Sequence, residues 1–489
     1  MYGWEKTLGR CSVLEHVCIR FLQICLHYIL PYVMISRLWM ATIGPFPWTF
    51  ALLVEIAFHI WMAQSVLPKL HATPAEIEPC HEPIEDKWMS AVEAISAVAK
   101  LGYPLEKFLS GWFLGAEMKR ISYDKLLAWC SWMLCGKDPS VLKPDCRKTL
   151  TRIVDQMCSR LGLNLAASDD PDVEFISLFG EPLLFLQRSF LMYAISSALP
   201  RLVASLVFQT VLGLKREHCE ETGMYYWWRA PCPEHVNFVD APPDLLFFHG
   251  LCGLTGYIPL ITGILLKSPS QGAVLFEIED VSQSLNFSRR LSMDAVQKTA
   301  RCATNRLQEA RGGPQRSCIV VGHSLGSCAV AQLAEQPPAP LAGVVLIDPV
   351  AILLMLPDVA HGFLHRMPQT VFDWFCFLWC ASEPGIANFF RRRFFWYNSC
   401  VDLPRLRHVP TLLCLSGSDR LVPSETVRAY AEQVLPEADI LWWEKMDHTC
   451  FMTSARCHMQ VLQWIEKCCK GKEGKVKPPA AVLEPYMAG

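Results

Sequence analysis

The pentapeptide Gly322-His323-Ser324-Leu325-Gly326 sets one hydroxyl between two glycines, after the apolar residues 319–321 and before a string of small side chains. A serine hydroxyl is a poor nucleophile until a base accepts its proton. The base that suits it is a histidine held by a carboxylate, which fixes the tautomer and stabilises the imidazolium that forms. His448 in "MDHTCF" and Asp419 in "LLCLSGSD" supply those types, each at the end of an apolar run. Such a set performs acyl transfer through a covalent intermediate and needs neither a metal nor a cofactor.

Other residues compete for these roles. Asp348 ends the run "LIDPV" and is the rival carboxylate; Asp447 adjoins His448 but would point elsewhere. His323 lies inside the pentapeptide, where a packing role suits it better than that of a base, and His408 precedes an apolar run and reads as structural. A tetrahedral oxyanion also needs donors. The backbone N–H groups of Leu325 and of Leu251, in the loop after "FFHG", are the candidates. Gly250, Gly253 and Gly256 recur in that loop every three residues without the G-x-G-x-x-G order of a dinucleotide site.

What must position these groups is a set of short strands. The runs 244–250, 273–280, 317–323, 341–349, 411–419 and 439–448 are rich in β-formers, and helical stretches separate most of them. Strands alternating with helices predict a mostly parallel sheet covered on both faces, an α/β fold with reactive groups at the carboxyl ends of the strands. Ser324 then sits on a sharp strand-to-helix turn, where side chains at 322 and 326 would clash. The pentapeptide alone would arise by chance in roughly one chain of this length in six; the strand before it and the helix after it give it meaning.

The rest of the 489-residue chain reads differently. Hydrophobic residues make up 52% and net charge is −2, with no basic stripe, which argues for a membrane and against nucleic acid as partner. Residues 21–36 are uncharged between Arg20 and Arg37, and an apolar span from about 43 to 66 carries a lone acid, Glu55. Residues 1–67 are therefore expected to form membrane-associated helices, and neither segment has the form of a signal peptide. A linker at 68–86 and a helical region at 87–239 follow, with Ser122 as a helix N-cap. The apolar run 183–214 contains Arg188, Pro200 and Arg201 and is expected to pack on the next domain rather than cross a membrane. The catalytic domain would span 240–470, with an apolar cap at 351–405 and a basic tail at 471–489. Twenty-two cysteines without a C-x-x-C pair read as small buried hydrophobes of a reducing compartment, hence an intracellular membrane; the seven-residue spacing of Cys11, Cys18 and Cys25 and the adjacent Cys468 and Cys469 read as coincidence ahead of acylation sites.

Residues 240–470 resemble the α/β-hydrolase superfamily of serine lipases and esterases through "FFHGLCG", "VVGHSLGS", "LSGSDRLVP" and "MDHTCF". The order Ser324, Asp419, His448 is the order of that superfamily. The wider layout, through "FLSGWF", "MYYWWR", "LIDPVAILLMLPDVAHGFL" and "GIANFFRRRFFWY", is similar to membrane-anchored fungal and algal hydrolases. The resemblance implies a Ser-His-Asp hydrolase and no particular substrate. An apolar cap beside a membrane anchor predicts esters of hydrophobic acids, with Arg391, Arg392 and Arg393 either at a lipid headgroup interface or forming a solvated run. An acyltransferase with the same residues and a non-catalytic scaffold of the same fold are the alternative functions.

Overall fold

The computed structural model describes residues 20–71, 82–181, 183, 185–230, 242–286, 293–311, 316–366, 368 and 371–469. The tail at 471–489, Cys11, Cys18 and residues 72–81 of the expected linker lie outside them.

At the centre is one eight-stranded sheet: β1 Lys215–His218, β2 Tyr225–Arg229, β3 Asp244–Phe248, β4 Ala273–Glu277, β5 Cys318–His323, β6 Leu341–Ile347, β7 Thr411–Ser416 and β8 Asp439–Trp443. Their order is β1-β2-β4-β3-β5-β6-β7-β8. From β4 to β8 every pairing is parallel; β1 and β2 join antiparallel at one edge. All six expected strands form. β1 and β2 extend the sheet upstream of 240, inside the stretch expected to be helical. β1 is "KREH", an edge strand whose polar side chains leave no apolar run to read.

The inner strands are buried on both faces, as a sheet covered by helices requires. Leu246, Phe248, Val274, Phe276 and Val320 face one core, with the helices Met293–Arg311, Gly326–Glu335 and Ser424–Val434. Leu245, Phe247, Leu275, Ile319 and Val321 face the other, with Ile258–Lys267 and Ala455–Cys469. The helical region shares the first core. Ser122 caps Tyr123–Cys135 by accepting from Lys125 N at 3.1 Å. Trp112 Nε1 donates to Met355 O, and Trp396 Nε1 to Met133 O, both at 3.0 Å, so this region and the cap are stitched together.

Among the described residues, three helices are long and apolar enough to cross a membrane: Arg20–Thr42, Trp48–His71 and Phe190–Val211. At 1.5 Å per residue, helices of 22 to 24 residues exceed the ~30 Å of a hydrocarbon core. The second is helical to His71 and another helix is described from Glu82, so both ends of the expected 68–86 linker are helical. In each of the three, a π-turn ends two residues before a proline, Pro31, Pro68 or Pro200, which absorbs the ring that an unbroken α-helix would not. Phe21, Leu38, Phe50, Leu53, Leu202 and Leu206 point outward. The third helix docks one face on the domain, as expected: Ala204 and Phe208 are buried, and Arg201 Nη1 donates to Ser284 Oγ at 3.1 Å. Its opposite face is nonetheless apolar and exposed.

Glu55 has a partner for every part of its carboxylate. Oε1 accepts from Tyr32 Oη at 2.6 Å and Leu191 N at 3.2 Å, and Oε2 from Phe190 N at 3.0 Å. The acid therefore closes the N-terminus of the third helix, where a negative charge is favoured. Ser189 and Arg188 extend the junction. Ser189 Oγ donates to His27 O, and Arg188 Nη2 donates to the cap carbonyls of Leu378 and Trp379.

Candidate active site

β5 ends at His323, and Ser324 takes φ +52°, a strained value for a residue with a side chain. The strain lifts its hydroxyl off the sheet. A Cβ at Gly322 would lie 2.6 Å from Gly326 O, and one at Gly326 would lie 2.3 Å from Phe248 O. Both glycines are therefore needed for the close approach of strand, turn and helix.

The structure brings the three expected residues together. Ser324 Oγ lies 2.7 Å from His448 Nε2, and His448 Nδ1 lies 2.7 Å from Asp419 Oδ2. Asp419 hangs from the loop after β7 and is locked there, because its Oδ1 accepts from Leu421 N at 2.8 Å and Val422 N at 2.9 Å. Asp447 turns away, accepting from His448 N at 2.8 Å and pairing with Arg420 Nε at 3.4 Å. His408 is exposed in the turn before β7.

Asp348 is nearer than a bystander. Its carboxylate accepts from Ser416 N at 2.8 Å and Ser416 Oγ at 2.9 Å, and its oxygens come within 4.8 Å of ligand atoms of Asp419 and His448. No hydrogen bond joins Asp348 to the imidazole among the described residues. Burial pushes its pKa up to about 7, and the neighbouring Asp419 charge adds to the rise. For His448, burial opposes the charged form, but the Asp419 carboxylate outweighs it, helped by Asp348 and Asp447, and holds the pKa up to about 9. The donors of this cluster are spent on His448, Ser416 and the backbone, so it is not arranged to take a metal ion.

The loop after β3 lies against the serine. A Cβ on Gly250 would meet Ser324 Cβ at 3.1 Å and Tyr257 Oη at 2.9 Å. Gly250 N donates to Tyr257 Oη at 2.9 Å, and Cys252 N to Val281 O at 2.8 Å. Between them, Leu251 N–H has no acceptor among the described residues, and neither has Leu325 N–H. Tyr257 Oη also lies 2.7 Å from His323 Nδ1, so one phenol ties the loop to the turn. Burial, then the charge of His448, lowers the pKa of His323 to about 3 and leaves it a neutral packing residue. His249 is likewise buried and receives Ile278 N on Nε2 at 3.0 Å. The clamping role of Tyr257 carries no sequence signal beyond its proximity to glycines, whereas His249 ends an apolar run as Ser324, Asp419 and His448 do.

Ser324 opens into a cavity of about 700 Å³, counting the open solvent at its mouth. Leu251, Leu325, Val350, Leu354, Phe363 and Phe390 contribute to its apolar walls. Trp112, Met133 and Leu178 also line it, so the helical region forms part of the site. Sequence reasoning missed these three because they lie far from the catalytic motifs in the chain. The arginine run takes neither of its expected positions. Arg391 and Arg392 are 2% and 7% exposed. Arg391 pairs with Glu181, Arg392 donates to Phe179 O and Glu181 O, and Arg393 pairs with Asp280 at 2.6 Å. The helix Pro384–Arg392 faces inward, and its long side chains reach the backbone of 179–181 instead of lipid or water.

Residues 245–458 match the alpha/beta hydrolase family. Among solved structures, the chain is similar to a membrane phospholipase A described as a bacterial virulence factor, with 16% identity, TM-score 0.39, and 57% of this chain and 93% of that one covered. It is also similar to a putative lipase of Acinetobacter baumannii AYE, with 15% identity, TM-score 0.37 and coverages of 55% and 97%. For carboxyl esterase 2 of the fungus Tuber melanosporum the values are 16%, 0.35, 53% and 86%. Comparison with curated proteins gives no match. None of these matches bears on the narrower resemblance to membrane-anchored fungal and algal hydrolases. The family match over residues 245–458, the strand order and the serine turn together give this region the α/β-hydrolase fold.

Proposed function

We propose that this protein is a membrane-anchored serine hydrolase that cleaves esters of hydrophobic acids through Ser324, His448 and Asp419. The observation that carries the reading is the continuous chain of hydrogen bonds from Asp419 through His448 to a serine that opens into an apolar cavity. With Nδ1–H donating to Asp419, the neutral ring offers the Nε2 lone pair to the serine hydroxyl. Ser324 Oγ attacks the ester carbonyl as its proton passes to Nε2. The carbon–oxygen bond to the alcohol then breaks, and the alcohol leaves with that proton. Water, deprotonated by Nε2, attacks the acyl-enzyme, and Ser324 recovers its hydroxyl as the acid departs. The free N–H groups of Leu251 and Leu325 suit them to receive the oxyanion in both steps.

Apolar walls favour an acyl chain over a charged or sugar-like group. The three apolar helices favour an integral membrane anchor, and the abundance of thiols favours an intracellular membrane. Two measurements test the reading. Purified protein in detergent should release fatty acid from long-chain esters, and the Ser324→Ala variant should not. Alkaline carbonate should leave the protein in the membrane pellet; release into the supernatant would remove the anchor from the account.

A further inference from the structure

The loop that carries Leu251 touches the cap through sulfur. Cys252 Sγ, one residue beyond Leu251, lies 3.4 Å from Cys380 Sγ in the cap turn Phe377–Ala381. Gln283 Nε2 donates to the same Cys252 sulfur at 3.3 Å and to the cap carbonyl of Trp379 at 2.7 Å. Cys252 holds φ +71° and Gln283 φ +55°, so the backbone is set to present this contact on both sides. The Arg188 side chain is fully buried behind the cap turn. It donates through Nη2 to Leu378 O and Trp379 O, and its Nε and Nη1 meet no acceptor among the described residues.

Two donors aimed at one sulfur, with a buried cation behind them, are the surroundings of a thiolate. The hydrogen bond from Cys380 lowers the Cys252 pKa below that of an ordinary thiol; burial works against this and Arg188 with it. The same bond, with burial, raises that of Cys380. The pair thus divides into a nucleophilic sulfur and a protonated resolving one, the usual division in reversible thiol oxidation. Both residues are half-buried.

We propose that Cys252 and Cys380 are a site of reversible oxidation, at which a peroxide closes a disulfide between the oxyanion loop and the cap. The Cys252 thiolate attacks one oxygen of hydrogen peroxide, the O–O bond breaks, and a sulfenic acid and hydroxide form. Cys380 sulfur then attacks the Cys252 sulfur, its proton joins the departing hydroxyl, and water leaves. Two thiols are oxidised by two electrons and the peroxide is reduced to two waters. The sulfurs must close from 3.4 Å to about 2.05 Å. That movement drags the residue next to Leu251 and fixes the cap against the loop, so the disulfide form is the inactive one.

The test uses the full-length protein in detergent, treated with stoichiometric hydrogen peroxide and digested without reductant. A cross-linked peptide joining Cys252 to Cys380, lost on reduction, is the expected result. Ester hydrolysis should fall by roughly tenfold or more with the cap fixed and return with dithiothreitol. The Cys380→Ser variant should keep its basal activity and lose both the cross-link and the sensitivity. Absence of that peptide while other thiols oxidise would overturn the proposal, as would a link from Cys252 to Cys376 in its place. A cross-link that leaves activity intact would overturn the inactivating role. The activity arm rests on the proposed hydrolase function, whereas the cross-link is read by mass alone, so failure of one is distinguishable from failure of the other.

Discussion

Asp419 and Asp348 both face His448, and replacing each by asparagine separates their roles. Asp419 Oδ1 is held by Leu421 N and Val422 N, so an asparagine there must keep its oxygen on those two donors. Its NH₂ group then meets His448 Nδ1 and makes that nitrogen the acceptor. The ring is driven into the tautomer with a proton on Nε2, facing Ser324 with no lone pair. A triad set in the wrong tautomer loses ~10⁴ in kcat, which is about 5.4 kcal/mol of barrier. Asp348 makes no such bond. Asp348→Asn keeps an oxygen for Ser416 N, gives up the acceptor of Ser416 Oγ, and removes a charge that helps to protonate His448. We expect less than about tenfold loss in kcat, with the pH profile displaced to lower pH. The assay is kcat and kcat/KM on a medium-chain p-nitrophenyl ester in detergent micelles, with thermal unfolding to verify the fold. Equal losses for the two variants, or a larger loss for Asp348→Asn, would refute this assignment of the acid.

Three other outcomes follow from the geometry. With the His448 pKa held up to about 9, the imidazole is protonated below that pH and cannot accept from Ser324. kcat/KM should therefore climb from pH 7 to about 9 and level above it; a plateau already reached at pH 7 would contradict this. Val359→Trp places a larger side chain in the cavity wall. Excluding about three methylenes at ~0.8 kcal/mol each should cost long-chain esters roughly 50-fold in kcat/KM and spare butyrate esters, as parallel kinetics on the two would show. Glu55→Ala leaves Tyr32 Oη, Phe190 N and Leu191 N without their acceptor and should destabilise the folded protein by about 2 kcal/mol or more. Glu55→Gln, which keeps one oxygen, should recover much of that in thermal unfolding.

The inner sheet and the serine turn were readable because their causes are local. β3, β5 and β7 are buried at every position and have apolar interiors, and the glycine at 322 answers to a clash with the residue four places on. Ser324, Asp419 and His448 stood out because each ends an apolar run at the same edge of a parallel sheet. The features that escaped depend on contacts distant in sequence. β1 has no apolar signature, since it is a polar edge pinned to β2. Arg391 and Arg392 read as a surface run because nothing near them in the chain announces Glu181, which lies about two hundred residues earlier. The position of Glu55 was visible as an anomaly in an apolar helix, but its three partners come from two other helices. Trp112 and Met133 join the cavity only when the helical region folds onto the cap.

The central claim is that Ser324 is a nucleophile activated by His448. It is tested most directly by labelling the detergent-solubilised protein with a fluorophosphonate probe, beside Ser324→Ala and His448→Ala. The account predicts a stoichiometric adduct mapped to Ser324 in the wild type and none in either variant. Folded wild-type protein that takes no label, or a label that persists when Ser324 is removed, would contradict it.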